Sequence, residues 1–109
     1  MASSIHQRRA QLQGLVKRFD DRSRLASASD LAARGHLMEA ENLLCPGMHL
    51  PMSSDELDLL ARIHVKQGLY SQARRRWEDA LKIGGDRIQI EECIESMDHW
   101  LEYKRELWI

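Results

Sequence analysis

The sequence predicts an all-α fold, a short stack of helical hairpins within one domain spanning residues 1–109. Three observations support this. Ala, Leu, Arg, Glu and Gln are common while Val occurs only twice, and these common residues lose little side-chain freedom in a helix. Apolar residues recur three and four positions apart, the spacing of one helical face. Finally, the glycines and prolines are few, six and two in 109 residues, and most fall between apolar stripes.

Two helices are predicted before Gly35, or one continuous helix. Ser4-x-x-Gln7 has the form of a capping box, which favours a helix start there. The apolar stripe loses phase across residues 20–24, and no Pro or Gly forces a stop there. A break near Asp20-Asp21 and an unbroken helix therefore both remain open. The two stripes are Leu12, Leu15, Val16 and Phe19, then Leu25, Ala28, Leu31 and Ala32.

The remaining helices are marked by their start and stop signals. After Gly35, a short helix is predicted from Leu37 to Leu44, followed by a loop with Pro46, Gly47 and Pro51. Ser53-x-x-Glu56 is a second capping box, and the helix it starts ends at Gly68. The next helix runs from Tyr70 to Ile83 and stops at Gly84-Gly85. Asp86 with Gln89 caps a last helix over residues 86–106.

The two central hairpins repeat at an offset of 33 residues. Ala28, Gly35, Leu37, Ala40 and Leu44 recur as Ala61, Gly68, Tyr70, Ala73 and Trp77. A period of this length indicates stacked helical hairpins. Residues 54–85 resemble a tetratricopeptide repeat, a helix-turn-helix unit of about 34 residues. The matching positions are Leu57, Leu60, Ala61, Gly68, Tyr70, Ala73, Trp77 and Ala80, with departures at His64 (usually aromatic) and Gly85 (usually Pro).

The preceding stretch, residues 21–51, resembles a degenerate repeat of the same family. Arg24 and Ser27 stand at positions that are normally apolar, and the second helix is short. A hairpin cannot bury its own apolar stripe, so neighbours or terminal helices must cover it. We expect the first helix and the helix over 86–106 to cap the stack.

The resemblance implies protein binding, because in this family the first helices of the repeats line a groove that takes peptides. Carried over position by position, the groove would be lined by Arg22, Leu25, Ser29, Asp58, Arg62, Val65 and Lys66. Some relatives clamp a peptide's terminal carboxylate with basic and amide side chains. Asp58 and the lack of asparagine at the matching positions argue against that clamp here. The alternative interpretation is that these residues are plain helix surface.

Charge is distributed unevenly along the chain. Residues 1–24 carry six basic and two acidic residues, a net charge of +4, whereas residues 86–109 carry −4. The basic N-terminal segment could bind nucleic acid or an anionic membrane. A simpler explanation of the uneven charge is that the two ends of a helical stack are solvated by side chains of opposite charge. Similarly, Arg74 and Arg75 in the Arg74-Arg75-Arg76 run are expected to pair with Glu78 and Asp79 four residues on.

No enzyme, metal or cofactor site is predicted. Cys45 and His49 lack further ligands at zinc-type spacing, and Cys45 and Cys93 are expected to be small apolar fillers in a reducing, cytoplasmic compartment. The acids Asp55, Glu56 and Asp58 suit the first turn of a helix. His64 is expected to be a packed core histidine, since no nucleophilic or acid–base constellation includes it.

The last residues, Lys104-Arg105-Glu106-Leu107-Trp108-Ile109, allow two interpretations. Basic residues followed by Trp and apolar residues suit the cytoplasmic edge of a membrane helix, which would make the chain the soluble head of an anchored or secretion-related protein. Alternatively, these residues fold back and cap the last helix. No stretch within the chain approaches the length of about 20 apolar residues that a membrane span requires.

We therefore expect a protein-interaction module, acting as an adaptor or a cytoplasmic recruiting domain that binds a peptide or helix in its groove. A chaperone-like holder of an apolar secreted partner is the main alternative. Nucleic-acid binding through the basic first helix is a weaker one.

Overall fold

The computed structural model describes residues 22–47, 49 and 53–107, with side chains described up to residue 103. Within these ranges the chain is all-helical and forms five helices, without strands. Helix α1 covers residues 22–33, α2 Leu37–Leu44, α3 Ser54–Lys66, α4 Tyr70–Lys82 and α5 Arg87–Leu107. The predicted all-α fold class is confirmed. The predicted start at Ser4, the stripe from Leu12 to Phe19 and the suggested break at Asp20-Asp21 lie outside the described residues.

The two hairpin turns have the same backbone geometry, 33 residues apart. Gly35 and Gly68 have positive φ angles of 87° and 78°, a conformation that strains residues with a Cβ atom. The next residue in each turn donates its backbone N–H to a carbonyl five residues earlier, at 2.9 Å in the first turn and 2.8 Å in the second. This is the Schellman arrangement that closes a helix. The repeat seen in the sequence is thus also present in the hydrogen bonds.

Small residues allow the helices of each hairpin to pack closely. Ala28 and Ala40 in the first hairpin, and Ala61 and Ala73 in the second, are fully buried. Because alanine adds only one methyl group beyond the backbone, helices that meet at alanine can approach near the lower limit of interaxial distance. These four residues form two of the five pairs that align at the repeat offset.

The core consists of two apolar clusters that share α3. One joins α1, α2 and α3; the other joins α3, α4 and α5. Helix α3 is thus covered on both sides and contributes the fully buried Leu57, Leu60 and Ile63. The members of the first cluster are Ala28, Ala32, Ala40, Leu44, Leu60 and Ile63, and those of the second are Leu57, Ala61, Ala73, Trp77, Ala80, Ile90 and Met97.

Helix α5 covers the second hairpin, as expected of a capping helix. Its start repeats the spacing of α3: the Gln89 N–H is bonded to the Asp86 carboxylate at 3.2 Å, 33 residues after the equivalent bond at Ser53. Ile90 and Met97 are buried against α3 and α4. Among the described helices, none is both long and apolar enough to cross a membrane.

Candidate functional site

The start of α3 links the two hairpins through a buried carboxylate. Ser53 accepts a hydrogen bond from the Glu56 N–H at 3.1 Å, the N-cap bond predicted from the sequence. The Glu56 side chain is only 3% exposed. Its two oxygens lie 3.0 and 3.2 Å from Nη2 of Arg24 on α1. The Glu56 carboxylate therefore joins α1 to α3, and Arg24, a departure from the apolar repeat pattern, takes part in an ion pair.

Asp58 has a structural role next to the predicted groove. One carboxylate oxygen accepts a hydrogen bond from the Trp77 indole Nε1 at 2.8 Å, and the other accepts one from Arg62 Nε at 3.0 Å. Trp77 is 3% exposed, so its N–H requires a partner within the protein. Asp58 supplies that partner, and it also orients Arg62 on the helix surface.

A cleft of about 210 Å³ lies between α1 and α3. It brings together three of the predicted groove residues: Ser29 from α1, and Arg62 and Lys66 from α3. All three are exposed. The Lys66 amino group lies 3.4 Å from the Ala32 carbonyl, near the end of α1. The cleft is thus polar at its rim and apolar elsewhere, where it is lined by Ala32, Ala33, Leu59 and Ile63.

The other four predicted groove residues do not line this cleft. Arg22 is exposed at the start of the described part of α1, and Leu25 is half-buried. Val65 packs against the cluster of α3, α4 and α5, while Asp58 is bonded to Trp77. Of the seven residues predicted to line a groove, three therefore share the α1–α3 cleft.

A second cleft, of about 280 Å³, lies where α2, α3 and α4 meet. There Glu41 on α2 accepts a hydrogen bond from Gln67 at 3.2 Å and lies 3.4 Å from Nε2 of His64. His64 is 5% exposed, so the predicted core position of this histidine is confirmed. These contacts fix α2 against α3, and the cleft is otherwise lined by Cys45, Leu60, Gln72, Arg75 and Arg76.

The arginine run on α4 is largely engaged in ion pairs. Arg74 pairs with Glu78, as predicted, and also reaches Asp98 on α5 at 2.6 Å. The hydrogen bond to Asp98 raises the pKa of Arg74. Asp79 pairs with Arg76 at 3.6 Å instead of with the predicted Arg75, because positions three apart on a helix are also neighbours. Two of the three guanidinium groups thus serve the fold.

The cysteines are free thiols in half-buried positions. Burial raises the pKa of both Cys45 and Cys93, and nearby Glu41 and Asp58, respectively, add to the shift. His49 is exposed. In the described part of the chain, no group of three or more His, Cys, Asp or Glu side chains could hold a metal ion.

The aromatic residues of α5 were not identified from the sequence. Trp100 and Tyr103 are 47% and 49% exposed, and their rings meet edge to face at 5.8 Å. Tyr70, at the start of α4, stacks on Trp100 at 6.0 Å. The spacing of three between Trp100 and Tyr103 was a usable signal, because such residues lie side by side on a helix.

Comparisons with protein-family models, with curated proteins and with solved structures found no match to this chain.

Proposed function

We propose that this chain is a protein-interaction module, an adaptor or recruiting domain, whose ligand is a peptide or helix bound between α1 and α3. The observation that carries the proposal is the convergence of Ser29, Arg62 and Lys66 around one cleft with an apolar lining. These residues come from the first helices of two consecutive hairpins. Those helices line the groove in the family that residues 54–85 resemble.

The cleft favours a ligand that carries an apolar side chain next to an acidic group. The apolar part would contact the lining, where Ile63 is 1% exposed, and the acidic group would meet the two cations at the rim. Charge-assisted hydrogen bonds are roughly twice as strong as neutral ones, so the rim would supply specificity. A cleft of about 210 Å³ is below the usual range of small-molecule sites, about 300–1,000 Å³. It suits one or two side chains of a longer ligand.

The chain is proposed to be a non-enzymatic, cytoplasmic protein that requires no cofactor. Several acids that could suggest acid–base chemistry are engaged elsewhere: Glu56 by Arg24, and Asp58 by Trp77 and Arg62. Two free cysteines suit a reducing compartment. Nucleic-acid binding has less support, because Arg24, Arg74 and Arg76 lie in ion pairs.

A chaperone-like holder of an apolar partner would use the same apolar lining of the α1–α3 cleft, but it would not need the basic residues at the rim.

The test is affinity capture with the full chain, comparing the wild type with Arg62→Ala/Lys66→Ala. Loss of the exposed Arg62–Asp58 pair should cost at most about 1 kcal/mol of stability, so the double variant should fold. A specific partner should lose binding by about tenfold or more, the equivalent of roughly 1.4 kcal/mol. Arg75→Ala is the matched control, because Arg75 is an exposed cation on the other cleft.

Two outcomes separate the alternatives. If the partner binds both Arg62→Ala/Lys66→Ala and Leu59→Ser as well as it binds the wild type, the groove assignment is wrong. If binding survives the loss of both cations but fails when Leu59 is changed to Ser, the chaperone-like alternative is favoured.

A further inference from the structure

The aromatic surface of α5 forms a corner made of two exposed rings. The Trp100 and Tyr103 planes meet at 87°, with centroids 5.8 Å apart. Together with His99 they line a shallow cleft of about 220 Å³. About half of the surface of each residue is exposed. Large exposed aromatic side chains grouped in this way are typical of recognition surfaces.

Contacts with α4 and with the buried core hold the aromatic corner in place. Trp100 stacks on Tyr70 with an interplanar angle of 13°, which fixes the indole against the start of α4. Arg74 on α4 bonds Asp98 on α5 at 2.6 Å, only two residues from Trp100. Buried Met97 anchors the same turn of α5. A ligand would therefore meet preformed rings, and little rotamer entropy would be lost on binding.

Carboxylates surround this corner on the exposed side of α5. An adjoining cleft of about 460 Å³ is lined by Glu92, Glu95 and Ser96, and it shares His99 and Trp100 with the aromatic cleft. Glu102 is exposed as well. Arg87, at the start of the helix, is paired with Glu91 at 3.1 Å. The described side chains next to the rings thus carry net negative charge, and we name Glu92, Glu95, His99, Trp100 and Tyr103 the α5 face.

The combination of ring faces and carboxylates selects a cation. The face of an aromatic ring carries partial negative charge and attracts ammonium and guanidinium groups, most strongly on Trp. Guanidinium also stacks flat on a ring and forms forked hydrogen bonds to carboxylates, whereas ammonium is a compact, strongly hydrated charge. An uncharged apolar segment would leave Glu92 and Glu95 desolvated without partners, which is costly. An acidic segment or a nucleic-acid backbone would be repelled.

We propose that the α5 face docks a basic, arginine-containing segment of a partner protein, with a guanidinium in the corner between Trp100 and Tyr103 and further cations against Glu92 and Glu95. This second surface is distinct from the α1–α3 groove. The α5 face does not include Arg62 or Lys66, so this proposal can be tested independently of the proposed function.

The test is a titration of the full chain with three helical peptides identical except for arginine, lysine or glutamate at positions i and i+4. Binding is measured by calorimetry and mapped by amide chemical shifts. The arginine peptide should bind, the lysine peptide should bind more weakly, and the glutamate peptide should not bind. The largest changes in amide chemical shift should occur at residues 92–103. Trp100→Leu and Tyr103→Leu should each weaken arginine-peptide binding by roughly 2- to 30-fold, the range of a cation–π contact.

Matched variants make the result decisive. Glu92→Gln/Glu95→Gln should weaken binding and flatten its salt dependence. Glu91→Gln and Ile88→Ala change an exposed acid and an exposed apolar residue of the same helix, and they should have little effect. Arg62→Ala/Lys66→Ala should bind the arginine peptide like the wild type, whatever becomes of the groove.

Three results would overturn the proposal. One is equal affinity for the arginine and lysine peptides together with no effect of Trp100→Leu, since bare charge attraction would then suffice. The second is the absence of binding to the arginine peptide. The third is concentration-dependent self-association that Glu92→Gln/Glu95→Gln abolishes, because the occupant would then be a second copy of this chain. Circular dichroism of each variant establishes that it is folded.

Discussion

The Glu56 carboxylate on α3 is bonded to Arg24 on α1, with both oxygens within 3.2 Å of one guanidinium nitrogen. Glu56 is 3% exposed, while the Arg24 side chain is 36% exposed. A buried carboxylate that loses its cation is left without a compensating charge. This pair therefore connects the first hairpin to the second, and Arg24 stands where the second hairpin has Leu57 at the 33-residue offset.

The first prediction concerns this pair. Arg24→Met should lower the free energy of unfolding by about 1–3 kcal/mol, because Glu56 would remain buried without its partner. Arg24→Met/Glu56→Leu should recover part of the loss, since an apolar pair suits the site. Urea unfolding of the wild type, both single variants and the double variant forms a double-mutant cycle. Strictly additive single effects would show that the two side chains do not interact.

Local signals predicted the helices well, and the reason is physical. Caps and positive-φ glycines act within one turn, so Ser53, Gly35 and Gly68 marked boundaries that the structure reproduces. Helix α2 was predicted from Leu37 to Leu44 and has those bounds. Such signals need no knowledge of tertiary packing.

Partners between helices could not be read from the sequence in the same way. Arg24 and Glu56 lie 32 residues apart, and Glu56 was interpreted only as an acid in a first helical turn. Likewise Asp58 was predicted to line the groove, although one of its carboxylate oxygens accepts a hydrogen bond from the Trp77 indole. Both carboxylates obey the helix-start pattern, but their pairing depends on how two helices are rotated against each other. The apolar stripe of one helix does not determine how that helix is rotated against its neighbour.

The second prediction tests the bond between Asp58 and Trp77. Asp58→Ala should destabilise the chain by about 1–3 kcal/mol, because the buried indole N–H would lose its acceptor. Trp77→Phe removes the donor along with part of the core volume. In Trp77→Phe, the further change Asp58→Ala should therefore cost clearly less than in the wild type. Thermal unfolding of the four proteins measures this difference, and an undiminished cost would count against the bond.

The third prediction contrasts two glycines. At Gly68, φ is +78° and an added Cβ would contact nothing within 4 Å, so Gly68→Ala should cost about 1–2 kcal/mol from backbone strain alone. Gly68→Asn should cost less, because Asn tolerates this conformation. At Gly85, an added Cβ would lie 2.5 Å from Ile90 Cδ1 and 3.0 Å from the Ala80 carbonyl. There Asn should be no better than Ala, as measured by chemical denaturation.

The backbone N–H of Gly85 closes α4. It donates a hydrogen bond to the Ala80 carbonyl at 2.9 Å. Proline has no N–H to donate. Gly85→Pro should therefore destabilise this chain, and a stabilising effect would show that the bond contributes little.

The fourth prediction follows from the raised pKa values of Cys45 and Cys93, shifted upward from 9.0 mainly by burial. A higher thiol pKa means less thiolate at pH 8, and the thiolate is the reactive form. Both thiols should therefore react with a disulfide reagent more slowly in the folded chain than in urea. Cys45→Ala and Cys93→Ala assign each rate, and equal rates in the folded and unfolded chain would contradict the burial of the thiols.

The raised pKa values of the two thiols also determine whether alkaline pH raises or lowers the stability of the folded chain. Each thiol titrates at a higher pH in the folded chain than in the unfolded chain, so the unfolded chain loses its thiol protons first as the pH rises. The stability contribution is therefore complete below pH 9 and is lost as the pH rises through the folded-state pKa values. Urea unfolding between pH 8 and 10.5 should show a steeper loss for the wild type than for Cys45→Ala/Cys93→Ala. Because the double variant retains every tyrosine and lysine, the difference in slope isolates the thiols, and parallel slopes would refute their contribution.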